Sequence, residues 1–143
     1  MVDLLRQLKE DDKPRFGLMT SQHMVEHLAM SVRFSNGRSP QPLYVSTERA
    51  QVSKRFILGD GEYPIGFKAP MLGDSPPPLI KAGLKEAIQY LENELAYFDS
   101  YFEANPSTVV MNPVLGELTY SEWIILHNKH FAYHFKQFNI LSS

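Results

Sequence analysis

The sequence predicts an all-α protein, a bundle of four main helices joined by one or two long crossover connections. Apolar residues recur at spacings of three and four, capping residues precede those stretches, and no segment alternates convincingly as a β-strand does. The segment nearest to a strand, residues 106–114, is bracketed too closely by Pro106 and Pro113. One domain is expected over the 143 residues, a length that suffices for a hydrophobic core.

Composition narrows the class of protein and the kinds of partner. Hydrophobic residues make up 43% of the chain and aromatic residues 12%, as in a packed globular protein. The net charge is −2 without a basic stripe, which argues against nucleic acid as a partner. No cysteine is present, so disulfides, thiolate metal ligands and a cysteine nucleophile are excluded. The N-terminal residues lack the apolar run of a signal peptide, and no stretch approaches the roughly 20 apolar residues of a membrane span, so a cytoplasmic protein without membrane contact is expected.

Five helical segments are predicted, a short one at the N-terminus and the four main helices. Their expected bounds are residues 2–10, 20–36, 46–58, 80–104 and about 119–140. Three of the main helices begin at residues that can cap them: Thr20 or Ser21, Ser46 or Thr47, and Thr119 in a capping-box pattern with Glu122. Residues that end helices follow two of them: Asn36-Gly37 and Asn105-Pro106.

The helix predicted over residues 80–104 has the clearest amphipathic pattern. Its apolar residues recur at spacings of four and three, as in a helix of a bundle: Leu84, Ile88, Leu91, Leu95, Phe98 and Phe102. The helix over residues 46–58 has fewer apolar positions, with Val52 and Phe56 four residues apart.

A long connection is expected over residues 59–80, which contain five prolines and four glycines. Such a connection is either a plain surface crossover or a cover over a site. Tyr63, Phe67 and Met71 would supply an apolar lid in the second interpretation and would simply hold the loop down in the first.

All five histidines lie in two of the predicted helices, on their apolar faces. Neutral imidazoles facing an interior need donors, water or a metal ion. Imidazoles four residues apart project from the same face of a helix and can converge on one ion, and the pairs His23/His27 and His130/His134 both have this spacing. The alternative is a hydrogen-bonded histidine cluster that forms a pH-sensitive core. No H-E-x-x-H sequence is present, so metalloprotease chemistry lacks its usual base.

Two segments resemble the DinB/YfiT-like superfamily of metal-binding four-helix bundles, in a poorly characterised branch. One is "MTSQHMVEHLAMSVR", residues 19–33, and the other is "MNPVLGELTYSEWIILHNKHFAYHFKQFNIL", residues 111–141. The second segment matches the motif N-P-x-x-G-x-L-T, then E-W, then H-x-x-x-H-x-x-Q, in these residues: Asn112, Pro113, Gly116, Leu118, Thr119, Glu122, Trp123, His130, His134 and Gln137.

The resemblance implies a three-histidine site for a divalent metal ion, formed by His27, His130 and His134. His23 and His127 match no ligand position of the superfamily, so they are expected to lie behind the ligands or to line the pocket above the metal. Zinc, nickel, iron and manganese all accept histidine nitrogens, and the sequence does not distinguish them.

Four further residues near the predicted site each have two interpretations. Gln137 either orients a substrate or a ligand imidazole, or it is a polar residue at a helix end. Ser31 either hydrogen-bonds in the pocket or bonds back to a carbonyl of its own helix. Tyr120 and Trp123 are expected in the core rather than on a substrate-binding wall.

The function implied is that of a metal-dependent enzyme that activates water or a thiol. Three histidines leave open positions on the ion, as catalytic sites do. Characterised members of the superfamily include thiol-dependent S-transferases and isomerases, so a small-molecule substrate of the low-molecular-weight thiol class, or hydrolysis, is implied. Members are often homodimers. The alternative is a non-catalytic helical bundle that a metal stabilises or that binds a small molecule.

Overall fold

A computed structural model describes residues 2–63 and 75–141 of the chain. Within these residues a short 3-10 helix, Val2–Gln7, precedes four α-helices and a two-stranded antiparallel hairpin. The helices are α1 (Ser21–Ser35), α2 (Thr47–Leu58), α3 (Leu84–Ala104) and α4 (Tyr120–Gln137), and the strands are β1 (Val110–Asn112) and β2 (Gly116–Leu118). The predicted predominance of helix is confirmed.

The predicted capping residues begin the helices. Thr20 Oγ1 accepts a hydrogen bond from the backbone N–H of His23, three residues into α1. Thr119 Oγ1 accepts from the N–H of Glu122, whose carboxylate accepts in return from the N–H of Thr119. Ser46 caps α2. Each of these side chains satisfies an N–H group that the first helical turn leaves without a partner.

Three helix bounds differ from the prediction. The N-terminal helix stops at Gln7 rather than at residue 10, and α3 begins at Leu84 rather than at residue 80. Helix α4 ends at Gln137 because Asn139 adopts a left-handed conformation with φ 61°. The N–H of Ile140 then donates to the carbonyl of Phe135 at 2.9 Å, which closes the helix end.

The prediction that the chain contains no β-strand was wrong. Pro113 does not break the hairpin because it lies in the turn between β1 and β2, where no ladder hydrogen bond requires an N–H. Asn112 Oδ1 accepts from the N–H groups of Val114 and Leu115, both at 2.9 Å, and so fixes the turn. Gly116 follows with φ 84°, a conformation that glycine adopts without strain.

Packing brings α1 between α3 and α4, while α2 contacts α4 and β2. The predicted apolar seam of α3 faces the core, with four of its six residues fully buried and Ile88 and Leu95 half-buried. On α2, however, Ala50 and Ile57 face inward, while Val52 and Phe56 are exposed. None of the helices in the described part of the chain combines the length and apolarity needed to cross a bilayer.

A buried carboxylate joins α1 to α3, and we call its surroundings the Glu94 cluster: Glu94, Arg33, Asn36 and Arg38. Arg33 and Arg38 donate to Glu94 Oε2 at 3.2 and 3.0 Å, and Asn36 Nδ2 donates to Oε1 at 2.9 Å. Both carboxylate oxygens therefore have donors, and the negative charge has two positive partners. This cluster holds α1 in register against α3.

Candidate metal centre

Three histidine rings converge between α1 and α4, and we call them the histidine cluster: His27, His130 and His134. Nε2 of His130 lies 2.9 Å from Nε2 of His27 and 3.1 Å from Nε2 of His134. Two nitrogens bound to one ion at about 2.1 Å lie about 3.0 Å apart at a right angle and about 3.4 Å apart at the tetrahedral angle. These two distances fit a shared ion, and because all three ligand nitrogens lie within 4.8 Å of one another, the cluster could hold one metal ion.

Gln137 sets the protonation of one of these rings. Its side-chain Nε2 donates to the carbonyl of Phe16 at 2.9 Å, so its Oε1 is the acceptor that faces Nδ1 of His134 at 2.7 Å. His134 must then carry its proton on Nδ1, and its Nε2 presents a lone pair to the other two rings. An imidazole held in this way is oriented as a metal ligand.

The cluster is short of hydrogen-bond donors. Nε2 of His130 contacts both other rings, yet it carries either one proton or one in-plane lone pair. If it carries the proton, one donor must serve two acceptors; if it carries the lone pair, it meets the lone pair of His134. A cation at the meeting point satisfies all three nitrogens at once.

Burial keeps all three rings neutral at neutral pH. Burial and then the neighbouring His134 together lower the pKa of His27 to about 3. Burial lowers the pKa of His134 to about 4, although the hydrogen bond that its Nδ1–H donates to Gln137 acts in the opposite direction. The pKa of His130 lies well below its ordinary value because of burial and then the neighbouring histidines. Neutral imidazole is the form that binds metal ions.

His127 lies on the same cavity as the cluster but has a different partner. Its Nε2 lies 2.8 Å from Ser35 Oγ, whose own proton goes to the carbonyl of Val32, so the histidine is the donor. Nδ1 is then a buried acceptor, and it has no hydrogen-bond partner among the described residues. Burial lowers the pKa of His127 to about 3, and its ring stacks on Trp123. His127 therefore lies on the cavity wall, which is one of the two positions expected of it.

The expectation that His23 lies beside the ligands or in the pocket needs correction. Its Nδ1 accepts from the N–H of Thr20 and lies 2.8 Å from Thr20 Oγ1, which completes a capping box at the start of α1. Its ring is therefore committed at the helix end, and it is not part of the described cavity wall. Of the pair His23/His27, only His27 therefore lies in the histidine cluster.

A cavity of about 360 Å³ adjoins the histidine cluster. Its described wall combines segments from both ends of the chain, from the hairpin turn and from α2. Trp123 is buried as predicted, yet it also forms part of this wall, whereas Tyr120 is partly exposed and packs on Phe98. Ser31 lines the cavity, and its hydroxyl donates to the carbonyl of Leu28 in its own helix, as the second interpretation expected.

Tyr63, one of the three residues predicted to form a lid, covers His130. The two rings stack with centroids 4.9 Å apart and planes 25° apart. Burial and then Tyr133 raise the pKa of Tyr63, so its hydroxyl is neutral. Phe67 and Met71 lie outside the described residues, so the lid prediction is tested at Tyr63 alone.

Lys129 anchors the loop that carries Tyr63, a role that the sequence did not reveal. Its ammonium donates to the carbonyls of Ile57, Gly59 and Gly61, each at 2.6 Å. A cation near the last carbonyls of a helix is a common way to end it. Helical periodicity puts Lys129 off the apolar face of α4, but it does not show which neighbouring helix end lies there.

Comparison of the chain with protein-family models, with curated proteins and with solved structures finds no match. The resemblance to the DinB/YfiT-like superfamily therefore rests on the motif residues alone. The geometry of the histidine cluster is an independent observation, because it depends only on where the rings lie.

Proposed function

We propose that His27, His130 and His134 bind one divalent metal ion and that this ion binds and activates a small molecule in the adjoining cavity. The observation that carries the proposal is the meeting of three neutral imidazole nitrogens at 2.9 and 3.1 Å beside a cavity of about 360 Å³. The order of the helices and this ligand set are those expected of a DinB/YfiT-like four-helix bundle, and we propose membership of that superfamily.

The residues of the site suit an ion with room for a guest. Three histidines make an open set, whereas closed structural zinc sites have four protein ligands. When bound, a divalent ion there supplies Lewis-acid activation of an oxygen or sulfur donor, which is the chemistry of a hydrolase or a thiol-dependent transferase or isomerase. Gln137 orients His134, and Tyr63 covers His130 and limits the access of water.

The second candidate is a metal-stabilised binding bundle without turnover. One observation favours it: the described part of the cavity wall has no Asp, Glu, Lys or Arg side chain. General acid–base catalysis there would depend on histidine or tyrosine, and the histidines of the cluster are committed to the metal in this proposal.

Metal analysis of protein purified without an affinity tag tests the site. We expect close to one divalent ion per chain in the native protein and almost none in His130→Ala/His134→Ala. The matched control is His23→Ala, which removes a histidine four residues from His27 but leaves the ligand set intact. Equal metal content in the native protein and the double variant would contradict the proposal.

Cobalt substitution separates the two candidate functions. The visible spectrum of bound Co²⁺ changes when a coordination position is filled, so added thiols or azide should shift it if the ion has an open position. If bound metal raises the melting temperature but no added donor changes the Co²⁺ spectrum, the metal-stabilised bundle without turnover is favoured.

A further inference from the structure

The described wall of the cavity lacks formally charged side chains and is mostly apolar. It is formed chiefly by large hydrophobic residues, among them Met30, Phe34, Ile57, Leu115, Trp123 and Leu126. Apart from the histidines, several of its polar groups already have partners. Ser31 donates to its own helix, Asn112 accepts from two N–H groups of the hairpin turn, and Gln137 bridges His134 and Phe16.

Two charged groups near this wall are committed elsewhere. The ammonium of Lys129 is held by three carbonyls, and Glu26 accepts from the backbone N–H groups of Ile80 and Lys81. Neither side chain is part of the described wall. A second charge on a bound molecule would therefore find no partner of opposite sign in the part of the cavity that the structure describes.

The rim of the cavity is also apolar. Phe16 and Leu18 belong to the wall, yet they are 37% and 73% exposed. The hydrogen bond from Gln137 to the carbonyl of Phe16 ties this rim to the residue that orients His134. Exposed apolar residues at the mouth of a cavity are typical of a site for an apolar ligand.

We infer that the ligand of this cavity is a monoanion with an apolar body: a thiolate or carboxylate whose single anionic group faces the histidine cluster and whose aliphatic or aromatic part fills the apolar wall. This inference rests on the proposed metal site for the anionic group, but the preference for an apolar body rests on the wall alone. Among the low-molecular-weight thiols that the superfamily resemblance implies, the inference selects those with one anionic group and an apolar body.

Thiols with several charges fit the described cavity poorly. A peptide thiol with two carboxylates and an ammonium would have to bury those groups without ion-pair partners, or leave them in water and forgo the wall. Burying an unpaired charge carries a desolvation cost that nothing on the described wall offsets. An apolar body instead gains free energy as it leaves water, in proportion to the apolar area that is buried.

Three carboxylates of equal chain length test the inference directly: hexanoate, adipate and 6-aminohexanoate. They differ only at the end distant from the shared carboxylate, which is methyl, carboxylate or ammonium. Trp123 is the single tryptophan of the chain and lies on the cavity wall, so its fluorescence reports occupancy with or without metal. Each probe is titrated into the metal-loaded native protein and into His130→Ala/His134→Ala.

We expect hexanoate to bind at least about tenfold more tightly than either doubly charged probe in the native protein, because only its distant end matches the wall. In the double variant we expect weaker binding overall but the same preference for the methyl end. Equal affinity for the three probes, or a preference for adipate or 6-aminohexanoate, would overturn the inference.

The two proteins distinguish this inference from the proposed function. A native protein that binds no metal ion when one is supplied, yet still prefers hexanoate, contradicts the metal site and supports the apolar ligand class. A metal-loaded protein that binds the three probes equally supports the metal site and overturns the ligand class.

A charge placed on the wall provides a second test. Met30→Lys adds an ammonium on α1, one turn beyond His27, and should shift the preference from hexanoate towards adipate. Ile125→Lys is the control, since Ile125 is partly exposed on α4 and is not part of the described wall. An unchanged preference in a folded Met30→Lys variant would contradict the placement of the ligand body.

Discussion

Helix α1 contributes to two buried polar clusters that differ in whether they are complete. In the Glu94 cluster, two arginines and an asparagine supply donors to both oxygens of one carboxylate. In the histidine cluster, three ring nitrogens face one another, and there are too few N–H donors to give each nitrogen a hydrogen-bond partner. The first cluster satisfies itself, whereas the second is satisfied only by something from outside the chain.

The difference shows how to separate a structural polar cluster from a functional one. A buried polar group without a partner costs about 1–3 kcal/mol, so a fold seldom retains several of them together for stability alone. A satisfied cluster explains its own presence. A bound cation would explain the histidine cluster, and the cavity beside the cluster would give that cation access to a ligand.

Acidification is expected to have the largest effect on the free energy of unfolding, and it acts through the buried histidines rather than through the Glu94 cluster. The pKa of His127 is lowered from 6.5 to about 3 by burial, and the pKa values of the histidine cluster are lowered as well. Between these values the unfolded chain binds more protons than the folded one, so the free energy of unfolding is highest above pH 6.5 and falls as the pH falls towards 3.

Urea unfolding of the metal-free protein at several pH values measures this effect. Excess divalent metal should move the loss of stability to lower pH, because protons and metal compete for the same nitrogens. A free energy of unfolding that stays constant from pH 6.5 to pH 4 would show that these rings are not buried as neutral groups.

Removing the carboxylate of the Glu94 cluster should cost the most among the single substitutions. Glu94→Ala leaves Asn36 and two arginines without their shared partner, and breaking a buried ion pair costs about 3–5 kcal/mol. We expect the free energy of unfolding to fall by about 3 kcal/mol, since the arginine side chains reach water and recover part of the loss. Thermal or urea unfolding measures the change.

Glu92→Ala is the matched control for Glu94→Ala. Glu92 lies on the same helix, but its pair with Arg6 is long, at 3.6 Å, and partly exposed, so the loss should be below about 1 kcal/mol. Metal content should remain unchanged in both variants. Loss of metal in Glu94→Ala would mean that the two clusters are coupled through α1.

Substituting Gln137 should weaken the histidine cluster without abolishing it. Gln137→Leu removes the acceptor that holds the proton on Nδ1 of His134, and losing such a partner typically lowers metal affinity about 10- to 100-fold. Competition with a chelator of known affinity measures the change. Gln89→Leu, on the exposed face of α3, is the control. Unaltered affinity in Gln137→Leu would remove Gln137 from the site.

The smallest effect is expected for His23→Ala. This change removes one half of the capping box at the start of α1, so it should destabilise the protein by about 1 kcal/mol or less and leave metal content intact. Melting temperature and metal analysis on the same sample measure both. Loss of metal from this variant would indicate that His23 is a metal ligand.

Local patterns in the sequence predicted the helices and most of the inward-facing residues. The capping residues Thr20, Ser46 and Thr119 act within one turn, so the chain carries that information locally. The three-residue strands of the hairpin were missed because their pairing depends on a turn that Asn112 organises, not on alternation.

The candidate site was predicted in part. Helical spacing identified the pair His130/His134, and the superfamily resemblance selected His27 over His23. Helical periodicity put both His23 and His27 on the apolar face of α1. It could not show that the ring of His23 turns back to the start of its own helix.

The sequence by itself determined the helices, their caps and the concentration of histidines on two apolar faces, because these follow from interactions over three or four residues. Only the tertiary structure decided which imidazoles meet, which polar cluster is complete and which side chains surround the cavity. These outcomes depend on contacts between residues more than a hundred positions apart, such as His27 and His130, and such contacts exist only once the helices have packed.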